Sequence, residues 1–64
     1  MVKKDISKAI RKLRTALGLT QENFAAKVGV TYSTVNRWEN NKGKPSPLAR
    51  LRIEELQKEL EQNG

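Results

Sequence analysis

Residues 32 to 37 place several hydrogen-bonding side chains on the outward side of one predicted helix. Ser33 and Arg37 are four positions apart, so they lie on the same helix face with Asn36 beside them. An arginine guanidinium is a planar donor that pairs with two acceptors on a guanine edge, and hydroxyl and amide groups form shorter-range hydrogen bonds. The chemistry indicated is recognition of a polar surface, and the candidate residues are Tyr32, Ser33, Asn36 and Arg37.

Groups that catalyse reactions or hold metals are scarce in this sequence. It has no cysteine and no histidine, which excludes a disulfide framework, a thiolate metal site, an imidazole zinc ligand and a histidine proton shuttle. The acidic residues are scattered over predicted helices, and no two flank a plausible cleft. We therefore expect no enzyme activity, no metal and no cofactor. The acidic residues are Asp5, Glu22, Glu39, Glu54, Glu55, Glu59 and Glu61.

The charge of the chain is unevenly distributed. Residues 1–52 carry a net charge of +9 and residues 53–64 carry −3, for an overall charge of +6. A positively charged body with a negatively charged tail is suited to binding a polyanion. Nucleic acid is the first candidate and an anionic membrane is the second. The alternative is that the charge only keeps the surface soluble. Because no segment resembles an apolar span or a secretory signal, we expect a cytoplasmic protein.

The apolar spacing predicts a single small domain over residues 1–64 that contains four helices. In the first helix, Ile6, Ile10 and Leu13 recur at helical spacing, and Gly18 ends the helix. The paired asparagines, glycine and prolines after residue 39 predict a loop. The predicted helices cover about residues 4–17, 21–28, 32–40 and 47–62, with a basic loop at 40–46.

The second and third helices each follow a threonine, and a short turn joins them. Thr20 and Thr31 are suited to be N-cap residues, and the "GVT" turn is a sharp corner that Gly29 allows through its left-handed backbone. In the third helix, Val35 and Trp38 face inward, opposite the polar side chains. A short helix that presents a second helix at such a corner is a helix-turn-helix, whose second helix enters the DNA major groove.

The fourth helix begins at about Pro47 and has two apolar sides. Leu48 and Leu51 point to one side, which indicates a deeply embedded start or a second partner. On the other side, Leu56 and Leu60 are expected beyond the reach of a four-helix core, so we predict that they pair with a second copy of the chain. The complete stripe on that side is Ala49, Ile53, Leu56 and Leu60.

The segment "IRKLRTALGLTQENFAAKVGVTYSTVNRWENNKGKPS" resembles the phage-repressor and Cro-type helix-turn-helix proteins, the XRE family. The resemblance covers about residues 6–52 and is carried by "GLTQ", "VGVT" and "VNRWEN". It implies an all-α, lambda-repressor-like fold, a compact bundle of four or five helices with a central helix-turn-helix. The family usually has five helices, whereas the spacing predicts four in this chain, with a long last helix.

The resemblance also implies roles for individual residues. Gln21 would bond a DNA phosphate and brace the recognition helix, and Thr31 would contact a phosphate from the helix cap. Arg14 and Glu39 would form a buried ion pair that ties the first helix to the end of the third. The implied base-reading residues are Tyr32, Ser33 and Arg37, with Asn36 a less regular contributor, and the implied DNA-backbone contacts are Asn40, Lys42 and Lys44.

These observations predict a sequence-specific double-stranded DNA-binding transcription regulator that needs no cofactor. We expect a repressor that binds a palindromic operator as a homodimer, with half-sites about 34 Å apart. Phosphate contacts would supply most of the affinity and make it strongly dependent on salt. The side chains of the third helix would determine which DNA sequence is bound.

Other interpretations stay open. The chain also suits an antitoxin-type or other partner-binding module, or a DNA-binding domain cut from a larger regulator. RNA binding is disfavoured because the core takes the aromatic residues. Tyr32 would otherwise cover the helix corner, and Arg37 would otherwise contact a phosphate or be a solvated charge. The remaining candidates would otherwise be solvated surface: Ser33, Asn36, Lys42 and Lys44.

Overall fold

The computed structural model describes residues 6–63, which form four α-helices. They are α1 (Ile6–Ala16), α2 (Gln21–Val28), α3 (Tyr32–Glu39) and α4 (Pro47–Asn63). The described residues contain no strand, so the prediction of an all-α fold is confirmed. The predicted start of the first helix, at residue 4, lies outside the described residues. α4 is one continuous helix of 17 residues, so this part of the chain has four helices and not five.

Hydroxyl side chains start three of the helices. Thr20 Oγ1 accepts a hydrogen bond from the backbone N–H of Asn23 at 3.1 Å, and Thr31 Oγ1 accepts one from Thr34 at 3.3 Å. Ser46 Oγ accepts a similar bond in the first turn of α4 at 3.3 Å. Each bond satisfies a backbone donor that the first turn of a helix leaves without a partner.

Left-handed residues follow the first three helices. Their φ angles are 71° at Gly18, 92° at Gly29 and 62° at Asn41. After α3, the N–H of Lys42 donates to the carbonyl oxygen of Arg37 at 2.8 Å, which closes a Schellman motif. The chain therefore changes direction within a few residues of each helix end, and the Gly29 corner sets α3 against α2.

We expect Gly29→Val to destabilise the fold by about 1–2 kcal/mol, because a β-branched residue is strained in a left-handed conformation. A Cβ atom at Gly29 meets nothing within 4 Å, so the cost comes from the backbone and not from a clash. Gly43→Val is the matched control, since a Cβ at Gly43 has the same open space without a left-handed φ. Urea unfolding followed by Trp38 fluorescence compares the two variants. If the two variants lost the same free energy of unfolding, the left-handed backbone at Gly29 would not be the source of the cost.

The core lies between the inner faces of all four helices. Ile10 of α1, Phe24 of α2 and Val35 of α3 are the largest fully buried side chains. The small side chain of Ala25 is also buried, on the helix that precedes the corner. The apolar core is therefore built mainly from the stripes that the helical spacing predicts. Its buried members are Ile10, Leu13, Phe24, Ala25, Val28, Val35, Trp38, Ala49, Ile53 and Leu56.

The expectation that Leu56 and Leu60 lie beyond the reach of the core is wrong. Leu56 is 6% exposed inside the core, and Leu60 is partly buried against it. The physical reason is that α4 packs against α2, and near the end of α4 Leu60 lines a shallow cleft together with Leu13 of α1. The ground for assigning Leu56 and Leu60 to a dimer interface is therefore removed. The exposed leucines of α4 are instead Leu48 and Leu51.

Candidate nucleic-acid interface

α3 has one buried face and one polar face. Val35 and Trp38 are buried in the core and hold the helix in place. The opposite side is exposed to solvent, apart from Asn36, which is half-buried. The hydrogen-bonding groups of this side are therefore available to a partner. The polar face of α3 consists of Tyr32, Ser33, Asn36 and Arg37.

The Asn40 side chain donates two hydrogen bonds to Asn36, and one of them orients the Asn36 side chain. Asn40 Nδ2 donates to the carbonyl oxygen of Asn36 and to Asn36 Oδ1, both at 2.8 Å. Because its oxygen is engaged, Asn36 has its NH2 group left to donate to an outside acceptor. Both donors of the Asn40 side chain are used within the protein. The DNA-backbone contact predicted for Asn40 therefore requires it to give up one of these bonds.

The loop after α3 adds positive charge beside Arg37. Arg37 Nη2 lies 3.5 Å from the carbonyl oxygen of Lys42, which is the limit of a hydrogen bond and leaves the guanidinium nearly free. Lys42 and Lys44 are both exposed. The C-terminal end of the polar face of α3 is thus followed by two solvated ammonium groups.

The N-terminal end of α3 is held by its cap. Thr31 Oγ1 lies 2.9 Å from Thr34 Oγ1 in addition to accepting the Thr34 N–H. Thr31 remains exposed, so the cap hydroxyl can meet a phosphate at the positive end of the helix dipole. A shallow cleft also joins this end of α3 to the start of α2, and it brings together two candidates that the sequence assigns separately, Tyr32 and Gln21. The other residues of the cleft are Arg14, Thr20 and Glu22.

Glu39 is the centre of a buried hydrogen-bond network that positions α3. Its side chain is 1% exposed, and Arg14 donates to it through Nε at 2.6 Å and through Nη2 at 3.1 Å. Gln21 Nε2 donates to Glu39 Oε1 at 3.0 Å. Arg14 Nη1 also donates to the carbonyl oxygen of Leu19 at 3.0 Å. One carboxylate therefore joins α1, the start of α2 and the end of α3. One N–H of the Gln21 amide is not used by this network.

The network keeps the Glu39 carboxyl ionised. Burial favours the neutral form, but the hydrogen bonds from Arg14 and Gln21, with the charges of Arg14 and Arg11, outweigh it and lower the pKa of Glu39 from its ordinary 4.5. The hydrogen bond to Glu39 raises the pKa of Arg14. Both groups are therefore charged at neutral pH.

Arg11 is a member of this network that the sequence analysis missed. Its Nε lies 3.6 Å from Glu39 Oε1, although the Arg11 side chain is 60% exposed. The available signal was its spacing of three positions from Arg14 on α1, which places both side chains on one side of the helix. Arg11 adds positive charge to Glu39 without a close hydrogen bond.

The described residues offer little for other kinds of site. They contain no group of three or more carboxylate, imidazole or thiol side chains placed to hold a metal ion. None of the described helices has the length and apolar character needed to cross a membrane.

Comparison with known proteins identifies the family. A family model described as helix-turn-helix matches residues 10–56, which is most of the chain. The match includes the corner between α2 and α3, all of α3, the basic loop and the first half of α4. No curated protein and no solved structure matches the sequence. The chain belongs to the XRE-type helix-turn-helix family of DNA-binding transcription regulators.

Proposed function

We propose that this protein is a transcriptional repressor that binds a palindromic operator as a homodimer, with α3 in the major groove. The observation that carries the proposal is that Ser33 and Arg37 are exposed while Val35 and Trp38 of the same helix are buried. The major groove of B-form DNA is about 12 Å wide and admits one α-helix. α3 therefore meets the requirement for a recognition helix, which must expose polar side-chain ends on one face while its other face is packed into the core.

The polar face of α3 supplies the base contacts in this proposal. Arg37 donates to two acceptors of a guanine, which is the commonest specific contact in protein–DNA complexes. The NH2 group of Asn36 donates to a base acceptor, since its oxygen is held by Asn40. Ser33 and Tyr32 contribute hydroxyl groups that donate or accept. This arrangement provides both fixed donors and adaptable groups.

Phosphate contacts surround the polar face and set its register on the duplex. Gln21 has a spare N–H beside the cleft at the start of α2, and Thr31 lies at the positive end of α3. The loop lysines contribute full charges at the other end. We assign the contacts to Gln21, Thr31, Lys42 and Lys44, with Asn40 joining when it releases Asn36. These contacts bind any sequence and anchor the helix in the groove.

Two copies on one operator explain how a small recognition helix acts selectively. Each chain offers four candidate base-reading side chains, which is enough for only a few base pairs. A two-fold pair reads twice as many, with half-sites about 34 Å apart on one side of the duplex. Occupation of a site that overlaps a promoter represses transcription by exclusion, which requires DNA binding alone.

Selection of duplexes from a random pool tests this function. We expect enrichment of an inverted repeat whose half-sites are one helical turn apart, about 10 base pairs. The affinity for the selected duplex should fall steeply as the salt concentration rises. In a plot of log affinity against log salt concentration, each phosphate that the protein neutralises should steepen the slope by one unit, to within about 10%. Failure to enrich any duplex, or binding that does not depend on salt, would contradict the proposal. Enrichment of a single unrepeated site would contradict the homodimer, but the assignment of α3 as the recognition helix would stand.

A further inference from the structure

The Asn36 side chain is held in one orientation by Asn40. Asn40 is the first residue after α3, and its Nδ2 lies 2.8 Å from the carbonyl oxygen of Asn36. Because a carbonyl oxygen only accepts hydrogen bonds, the Asn40 atom beside it is the NH2 nitrogen. The same nitrogen lies 2.8 Å from the Asn36 side chain, so the Asn36 atom that it meets is the amide oxygen. The backbone carbonyl therefore fixes which end of each amide faces the other.

The end of α3 holds Asn40 in the position that this contact needs. The backbone N–H of Asn40 donates to the Asn36 carbonyl oxygen at 3.0 Å. The next residues close the end of the helix, because Asn41 takes a left-handed backbone with a φ of 62° and the N–H of Lys42 donates to the Arg37 carbonyl oxygen at 2.8 Å. Backbone hydrogen bonds on both sides of Asn40 therefore fix the point from which its side chain reaches Asn36.

The NH2 group of Asn36 is the end of the amide that is left for a partner. No hydrogen bond within residues 6–63 uses it, and Asn36 lies beside the exposed side chain of Arg37. An asparagine whose amide turns freely offers either its oxygen or its NH2 group to a base. In the orientation held by Asn40, the oxygen faces the end of α3, and Asn36 offers a donor.

We infer that Asn40 is a specificity-determining positioning residue, which turns Asn36 so that its NH2 group and not its oxygen faces the bases. In the major groove, guanine presents two acceptors, thymine presents one, and adenine presents one beside a donor, whereas cytosine presents only a donor. Asn36 in its held orientation therefore favours guanine and rejects cytosine at the base that it meets. This role rests on the proposed function, because it requires α3 to lie in the major groove.

A phosphate contact is the competing role of the Asn40 side chain. Any donor that Asn40 gives to a phosphate is taken from Asn36, because both of its side-chain donors are used there. Loss of a phosphate contact weakens binding to every sequence, whereas loss of a positioning bond changes which base is preferred. The base preference at the position that Asn36 reads therefore separates the two roles.

Binding to a set of altered operators tests this role. Duplexes that carry each base in turn at every position of a half-site are compared by fluorescence anisotropy at one salt concentration. Asn36→Ala identifies the position that Asn36 reads, because the base preference is lost there. At that position the wild type should favour guanine over cytosine by about fivefold or more. Asn40→Ala should remove most of this ratio and leave the preferences at the other positions unchanged.

Asn40→Asp should reverse the preference at this position. A carboxylate accepts hydrogen bonds and donates none, so it attracts the NH2 group of Asn36 and turns the Asn36 oxygen toward the donor of cytosine. Asn41→Asp is the matched control, since it adds the same charge one residue further along, at an exposed position that has no hydrogen bond to Asn36. It should weaken binding to all duplexes and leave the ratio of guanine to cytosine unchanged. Circular dichroism checks that the variants fold.

The side-chain amide signals of the free protein test the positioning without DNA. In the wild type, NMR relaxation should show that the Asn36 NH2 group has restricted motion on the picosecond to nanosecond timescale. In Asn40→Ala the same group should become mobile, because the bond to its oxygen is lost. Equal mobility of the Asn36 amide in the two proteins overturns the positioning role of Asn40.

The outcomes separate this role from the proposed function. If the wild type prefers no duplex over another, the proposed function fails and the role of Asn40 in base choice fails with it. If the wild type selects an operator while Asn40→Ala and Asn40→Asp weaken every duplex alike, the proposed function stands and only the positioning role fails. A wild type that favours cytosine at the position read by Asn36 overturns the held orientation as well.

Discussion

Glu39→Gln is expected to lower the free energy of unfolding by roughly 2–4 kcal/mol. The substitution leaves the guanidinium of Arg14 without its counter-charge and replaces one acceptor oxygen by an NH2 group that faces other donors. Breaking a fully buried pair costs about 3–5 kcal/mol, and Arg14 keeps 17% of its side chain exposed, which reduces the penalty. A domain of this size has a total stability of only roughly 5 kcal/mol. Urea unfolding monitored by circular dichroism measures the loss.

The pH dependence of this effect has a defined sign. The pKa of Glu39 is lower in the folded protein than its ordinary 4.5, so its stabilisation is fully present above that value and is lost as the pH falls through the lower folded pKa. The stability difference between wild type and Glu39→Gln should therefore shrink as the pH falls below about 4.5. A difference that stays constant down to about pH 2 would show that the charge of Glu39 is not its source.

Arg11→Ala is the control for the network around Glu39. Arg11 approaches the same carboxylate, but at 3.6 Å and with most of its side chain in solvent. Exposed ion pairs contribute about 0–1 kcal/mol, so we expect a loss at the lower end of that range. If Arg11→Ala were as destabilising as Glu39→Gln, general electrostatic attraction and not the buried hydrogen bonds would hold the network together.

Arg37→Ala is expected to reduce the preference for operator over random DNA by about 5- to 150-fold, which corresponds to about 1–3 kcal/mol of lost discrimination. The reason is that Arg37 is exposed on the polar face of α3 and its guanidinium is held only by a 3.5 Å contact with the Lys42 carbonyl. Binding to the selected operator and to random duplex, measured by fluorescence anisotropy at one salt concentration, gives the ratio. An unchanged ratio would contradict base recognition by Arg37.

Two further variants separate recognition from anchoring. Lys44→Ala should weaken binding to operator and random DNA about equally and reduce the salt slope by about 1, because Lys44 is an exposed loop cation. Arg37→Lys keeps the positive charge without the planar donor fork, so it should lose discrimination while retaining much of the nonspecific affinity. If all three variants change both affinities alike, the division of roles between α3 and the loop is wrong.

The helix boundaries and caps could be predicted because their interactions are local. Thr20 and Thr31 each bond a backbone N–H three positions ahead, and Gly18 and Gly29 take up the left-handed backbone that a nearby helix end requires. These contacts depend on residues within one helical turn, so a short stretch of sequence contains all the information. The ion pair between Arg14 and Glu39 spans 25 positions, and the family resemblance, not spacing, led to it.

Part of the candidate site could not be predicted even though its residues were identified. Asn40 was a candidate for the DNA backbone, and the structure shows that both of its side-chain donors are used on Asn36. In the sequence, Arg11 is one of many exposed cations. Its approach to Glu39 follows only from the packing of α1 beside the end of α3. Residue type indicates what a side chain is able to bond. Its neighbours in space determine which of those bonds remain free.

The sequence alone determined the four helices, the sharp corner before α3 and the side of α3 that faces solvent, because helical periodicity and capping act over a few residues. The tertiary structure alone decided that Leu56 joins the core and that Leu48 and Leu51 do not. Periodicity shows that α4 has two apolar sides, but which side is buried depends on how α4 crosses α1 and α2, and that crossing is set by the packing of residues far apart in the chain.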